Sequence, residues 1–225
     1  EIRNIDKGQC LTDVLPAIPA NTIFDKTITG CGATHSEIVN AARHSIIIEP
    51  NIPVILGKKA EHPFLFAVYE GITKEDVKAY LAGEHDGYRK IITTPEGFDK
   101  KVLPAMHELE IPVYKDYFLL FDECEKAIQD VGYRGDIYLP VEDFFKFENK
   151  AMVSATPIVP SDPRFEENGF KILKLVPTYD SRIELTLCTT NNTVAVMRKL
   201  LKRLENETVC VFLNSTETIL SLIYE

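Results

Sequence analysis

Several short runs in this chain are apolar with almost no interruption, and they limit its possible folds more than any other feature. "SIII" (residues 45–48) and "FLLF" (residues 118–121) show no alternation of polar and apolar residues. A strand with one wet face alternates, whereas a strand covered on both faces reads as a continuous run. Burial on both faces implies a parallel sheet with helices layered on each side. Similar strand-like texture occurs in "HSIIIEP", "PFLFAVYEG", "YRKIITTPEG", "DYFLLFDECE", "NKAMVSATP" and "FKILKLVP". Helical patterns fall between them: "THSEIVNAAR", "TKEDVKAYLAG" and "EGFDKKVLPAMHEL". Thr73 and Asp76 read as a capping box with a short acid. Gly83 reads as a stop, and Pro104 as a kink. Strand alternating with helix predicts an open α/β domain.

The texture changes after "SATP". "PIVPSDPRFEENG" reads as loop. "TVAVMRKLLKRLENE" reads as an amphipathic helix with Val196, Leu200 and Leu204 on one face. "TVCVFLNS" reads as a buried strand and "TETILSLIYE" as a further helix. These features place a boundary near residue 178, with residues 1–177 as one domain and residues 178–225 as the beginning of a second. The second piece, about 48 residues, is too short for a complete doubly wound domain.

The chain has 225 residues, 45% apolar and 26% charged, as expected of a soluble globular protein. A net charge of -9 argues against a protein that coats nucleic acid. It does not exclude one that grips a few phosphates in one groove. The five cysteines are widely spaced and form no CxxC pair, so neither a disulfide framework nor a zinc knuckle is expected. Reduced thiols and the absence of a signal peptide or a bilayer-length apolar run lead to the expectation of a cytoplasmic protein that makes no membrane contact. The chain opens at Glu1 without a methionine, as a processed or trimmed polypeptide would.

Three constellations carry chemistry. The first is "TITGCGATH", residues 27–35. A glycine-rich turn between strand and helix lets backbone N–H groups converge on one anion. Gly30 and Gly32 give the backbone its freedom, and Thr34 sits where a hydroxyl can ligate Mg²⁺. The second is "LLFDECEK", in which an apolar strand ends in Asp122 and Glu123. Side chains at the C-terminal end of such a strand enter the ligand crevice. There an aspartate can hold Mg²⁺ and the adjacent glutamate can orient or deprotonate water. The third is "SATP", which puts the hydroxyls of Ser154 and Thr156 after another buried strand. The other candidates read more plainly. His35 is expected as an exposed first-turn histidine, Cys124 as a small buried filler, and "RKLLKR" as a solvated helix face. The histidines lack metal-ligand spacing.

In this order the chain resembles superfamily 2 helicases of the DEAD/DEAH-like kind. "TGCGAT" is similar to their motif I, "IIIEPNIPVI" to Ia, "TTPEGF" to Ib, "FDECEK" to II, "SATP" to III and "CVFLNSTETI" to IV. The resemblance implies a RecA-like P-loop domain and ATP-dependent helicase or translocase activity, with ATP and Mg²⁺ as ligands. It places the nucleotide at Gly30, Cys31, Gly32, Ala33 and Thr34, and the metal at Thr34 and Asp122. It gives hydrolysis to Asp122 and Glu123, and coupling to Ser154 and Thr156. Single- or double-stranded nucleic acid would cross the segments holding Pro50, Thr94 and Pro95.

Two departures qualify that implication. Ala33 stands where the family has a lysine. A charge-assisted hydrogen bond is worth about 1.5–3 kcal/mol, so its loss should weaken nucleotide binding by roughly 10- to 100-fold. Lys26 and Lys58 are the nearby lysines that can substitute. No match to motifs V or VI follows, so the arginine finger, worth about 10³–10⁵ in rate, is expected from a longer parent polypeptide or a partner protein. Two alternatives stay open. One is a degenerate RecA-like module that binds nucleotide or a partner without turnover, which Ala33 favours and the acidic pair opposes. The other is an unrelated P-loop-like enzyme acting on a small phosphorylated substrate, which the Ib- and III-like segments oppose.

Overall fold

The computed structural model describes residues 1–124, 139–156, 162–181, 186–204, 208–212 and 215–223, with the backbone alone at 139 and 140. Eight strands form one sheet: β1 (Ile2–Ile5), β2 (Thr22–Asp25), β3 (His44–Ile48), β4 (Phe66–Val68), β5 (Lys90–Thr93), β6 (Tyr117–Phe121), β7 (Asn149–Ser154) and β8 (Lys171–Pro177). Their order is β1-β8-β2-β7-β6-β3-β5-β4, and every pairing is parallel. The expected α/β fold with a parallel sheet is therefore present.

The unbroken apolar runs have the predicted cause. Along β6, Tyr117, Leu119 and Phe121 enter one core, while Phe118 and Leu120 enter another. In β3, Ile46 and Ile48 go to the first and Ile47 to the second. Period-2 side-chain alternation thus fills both faces. Each fully buried side chain of this size contributes about 1.5–3 kcal/mol.

Local signals were realised where they depend on local chemistry. Helix Lys74–Ala82 starts at Thr73, whose hydroxyl accepts the Asp76 N–H, while the Asp76 carboxylate accepts the Thr73 N–H. It stops at Gly83. The Pro104 kink takes the form of a π turn over Phe98–Val102. There the Leu103 N–H donates to the Phe98 carbonyl, a wide turn just before a residue that has no N–H to give.

Other expectations are corrected. The helix read over residues 34–43 spans only Ala33–Ile38. The Asn40 side chain accepts the Ala42 N–H, and Arg43 folds back onto the fully buried Glu37 at 2.5 Å. A buried carboxylate requires a partner, and meeting that need turns the chain out of the helix. The loop read at 157–169 contains helix Pro163–Glu167, capped by Asp162, in its described part; residues 157–161 lie outside the described residues. The sequence reading also did not pick out β1 or the helices Leu11–Val14, Ile52–Glu61, Val113–Asp116 and Leu139–Lys146.

Residues Glu1–Ser181 form one compact unit and Arg182–Glu225 a second. In the second, helix Thr193–Arg203 begins at Asn192, whose side chain accepts the Ala195 N–H, and helix Thr216–Ile223 follows. Leu200, expected on a covered face, is exposed. Val209–Phe212 form no strand, contrary to expectation, and Phe212 is 92% exposed. The described residues of this unit contain no strand for that segment to pair with, and a strand needs a partner. Leu213 and Asn214 of the motif IV-like segment lie outside the described residues.

Candidate functional site

A parallel sheet carries the C-terminal ends of all its strands to one edge, where ligands bind in open α/β folds. Here that edge gathers the residues after β2, β3, β5, β6 and β7. Ladder bonds continue one step past each strand. The Lys26 N–H donates to the Ser154 carbonyl, the Asp122 N–H to the Ile48 carbonyl, and the Glu49 N–H to the Thr93 carbonyl.

The glycine-rich turn leaves β2 at Asp25. Its first step is strained, because Thr27 is β-branched and has φ 45°. The Asp25 carboxylate holds it by accepting the Thr27 N–H at 3.1 Å, and the Thr27 hydroxyl donates to the Leu175 carbonyl. Gly30 and Gly32 have φ 74° and 85°, a region open to glycine at no steric cost. The Cys31 carbonyl accepts the Leu11 N–H at 2.8 Å, anchoring the turn to the N-terminal segment. Cys31 is buried, and that burial pushes its thiol up. Ala33 is buried too, with its methyl in the apolar core.

The turn and the acidic pair meet. The Thr34 hydroxyl donates directly to Asp122 Oδ2. Lys26 Nζ lies 2.6 Å from Glu123 Oε1 and 3.3 Å from Asp122 Oδ1. Since β7 lies between β2 and β6, Lys26 spans two strand spacings, roughly 9–10 Å between strand axes. Burial alone would lower the Lys26 ammonium. The Asp122 charge and the Glu123 hydrogen bond outweigh it and hold Lys26 well above its ordinary value. Glu123 has φ 48°, a second strained residue beside the same cluster. Glu125 and Lys126 lie outside the described residues.

Ser154 is buried, and its hydroxyl is taken up locally. It donates to the Thr156 carbonyl and accepts the Thr156 N–H, while the Thr156 side chain is exposed. The link from this segment to the glycine turn therefore runs through the Ser154 backbone to Lys26. Cys124 is fully buried as expected, with Sγ 3.4 Å from the Val153 carbonyl. His35 is half-buried and not exposed as read, and its Nδ1 lies 3.2 Å from His62 Nε2 at the end of helix Ile52–Glu61.

Of the three residues assigned to a nucleic-acid track, two share a groove. Pro50 and Thr94 line one groove of about 370 Å³ with Tyr69, the lysines Lys100 and Lys101 and the glutamates Glu70 and Glu96. Thr94 is buried, and its hydroxyl caps the next helix by accepting the Gly97 N–H. Pro95 is buried as the first residue of that helix and is not part of the groove lining.

Sequence reasoning passed over three residues. Lys100 and Lys101 lie one turn beyond the TPE segment, and only helical spacing pointed to them. Glu49 closes the apolar run "SIII" as Asp122 closes "FLLF", and that parallel was the available signal. Glu49 is 2% exposed; its carboxyl is pushed up to about 7, first by burial and then by the Asp122 charge.

No protein-family model and no curated protein sequence matches the chain. Among solved structures, it is similar to the DUF1998 helicase MrfA, with a TM-score of 0.60 and 13% identity over 91% of this chain and 35% of that one. A second is the Pyrococcus furiosus Hef helicase domain, with a TM-score of 0.45 and 12% identity over 91% of this chain and 49% of that one. The fold is helicase-like, and the chain spans about a third of the length of MrfA and about half of the Hef domain. No helix among the described residues is long and apolar enough to cross a membrane.

Proposed function

We propose that this chain is the nucleotide-binding part of an ATP-dependent nucleic-acid helicase or translocase. The observation that carries the reading is the meeting of Thr34 with Asp122 at the C-terminal edge of a helicase-like sheet. A hydroxyl and a carboxylate on one point form a hard oxygen donor set, the kind Mg²⁺ takes. Gly30 and Gly32 leave room at the turn, since a Cβ on Gly30 would meet nothing within 4 Å. In this reading the turn holds the phosphates of ATP, and Thr34 and Asp122 hold Mg²⁺, which neutralises phosphate charge. Glu123 orients the attacking water or accepts its proton. The groove of Pro50, Tyr69, Lys100 and Lys101 receives a nucleic-acid strand. In the same reading residues 178–225 belong to a second RecA-like domain.

A second reading, a module without turnover, has its own support. Both oxygens of Asp122 are already engaged, by Lys26 and by Thr34, and the lysine position of the turn is a buried methyl. Calorimetric titration tests the nucleotide claim. Mg-ATP should bind in the high-micromolar to millimolar range as an order of magnitude, and binding should weaken when Mg²⁺ is chelated. Absence of heat at millimolar Mg-ATP would reject it. Phosphate release at no more than the buffer rate, despite binding, would select the module.

A further inference from the structure

The lysine missing from the glycine turn has a geometric counterpart in Lys26. Lys26 Nζ contacts Asp122 Oδ1, and the Thr34 hydroxyl contacts Asp122 Oδ2. The residue that opens the turn and the residue that follows it are thus fastened to opposite oxygens of one carboxylate. A ligand nested in the turn lies within reach of an ammonium that comes from the strand side, not the helix side. Lys58, the other lysine weighed as a substitute, is bonded to Glu61 at 2.8 Å on helix Ile52–Glu61 and makes no contact with the acidic pair.

We propose that Lys26 is the phosphate-binding lysine of this site, supplied from the end of β2, and that it leaves the acidic pair for the nucleotide phosphates on binding. The proposal rests on the nucleotide reading above. Its backbone is fixed by the bond from the Lys26 N–H to the Ser154 carbonyl, so the flexible four-carbon stem alone has to move. The charges also exchange evenly. While Lys26 is in place, one ammonium partly balances the two carboxylates. When it turns to phosphate, Asp122 and Glu123 regain their full negative charge as a divalent cation arrives with the nucleotide.

Calorimetry with Mg-ATP on wild type, Lys26→Ala and Lys26→Arg tests this, with circular dichroism confirming each fold. Lys26→Ala should bind roughly 10- to 100-fold more weakly, the worth of one charge-assisted bond. Lys26→Arg should fall between, since it keeps the charge but not the compact ammonium. If wild type gives no heat, the nucleotide reading itself has failed. If wild type binds and Lys26→Ala binds equally well or more tightly, Lys26 is a plug in the cation site and the proposal is overturned. Should Lys26→Ala fail to fold, nitrogen-15 labelling of lysine side chains in wild type still decides. The Lys26 Nζ resonance should shift on saturation with Mg-ATP, and an unmoved resonance would also overturn the proposal.

Discussion

Glu49 shows how much one buried carboxyl can alter behaviour at this edge. Its carboxyl is pushed up to about 7 from an ordinary value of 4.5, by burial and then by Asp122, although the Asn51 N–H and side-chain amide both donate to it. A carboxyl raised by folding costs nothing while both states are protonated, below about pH 4.5. Its penalty grows as pH climbs from about 4.5 to about 7 and is constant above, reaching roughly 3 kcal/mol at most. Glu49→Gln keeps an oxygen for Asn51 and removes the charge. Its melting midpoint should lie close to wild type at pH 5 and several degrees higher at pH 8. Scans showing the same gap at both pH values would remove Glu49 as a titrating group. The acids after two of the central strands, Glu49 and Asp122, were equally readable as ends of apolar runs. Asp122 sits in a motif with an assigned chemical role, whereas Glu49 sits in the motif Ia-like segment without one.

At the scale of elements, legibility followed the range of the interaction. The Thr73–Asp76 cap and the both-face burial of β3 and β6 depend on neighbours in sequence or on period-2 patterning, and both were read correctly. The early end of helix Ala33–Ile38 depends on Glu37 meeting Arg43, Ser45 and Lys90 in three dimensions, and no local pattern announces it. The Lys26 bridge is equally hidden, because it crosses an intervening strand in which Val153, not any neighbour in sequence, stands opposite Phe24. Its separation of 96 residues from Asp122 gives no periodic signal. The short helix after β5 makes a sharper prediction. A Cβ on Gly97 would lie 2.5 Å from Thr93 Oγ1, 3.1 Å from Thr94 Oγ1 and 3.2 Å from the Val68 carbonyl. Thr93 is fully buried and cannot swing aside. Gly97→Ala should therefore lower stability by about 1–3 kcal/mol through overpacking, and disturb the Thr94 cap with it. A urea midpoint within error of wild type would show that the turn yields freely.

At the scale of the whole molecule, the proposed nucleic-acid strand would have to meet a chain of net charge -9 through a local exception. The proposed groove carries Lys100 and Lys101 beside Glu70 and Glu96, with Lys101 Nζ donating to the Tyr69 carbonyl at 2.9 Å. Two lysines imply few phosphate contacts. The logarithm of the binding constant for single strands should then fall with the logarithm of salt at a slope of only about -0.7 per phosphate neutralised, or roughly -1 to -2 in all. Lys100→Glu with Lys101→Glu should abolish binding of a labelled oligonucleotide in fluorescence anisotropy. Retained binding in that double variant would move the nucleic-acid track elsewhere. The sheet order also bears on how the protein is made. β2, which carries the glycine turn, pairs only with β7 and β8, with Thr22 opposite Ala151 and Lys171. A nascent chain growing at about 5–20 residues per second leaves the apolar face of β2 without its sheet for on the order of ten seconds. The ladder that holds the glycine turn in place therefore cannot close until β7 and β8 have been made.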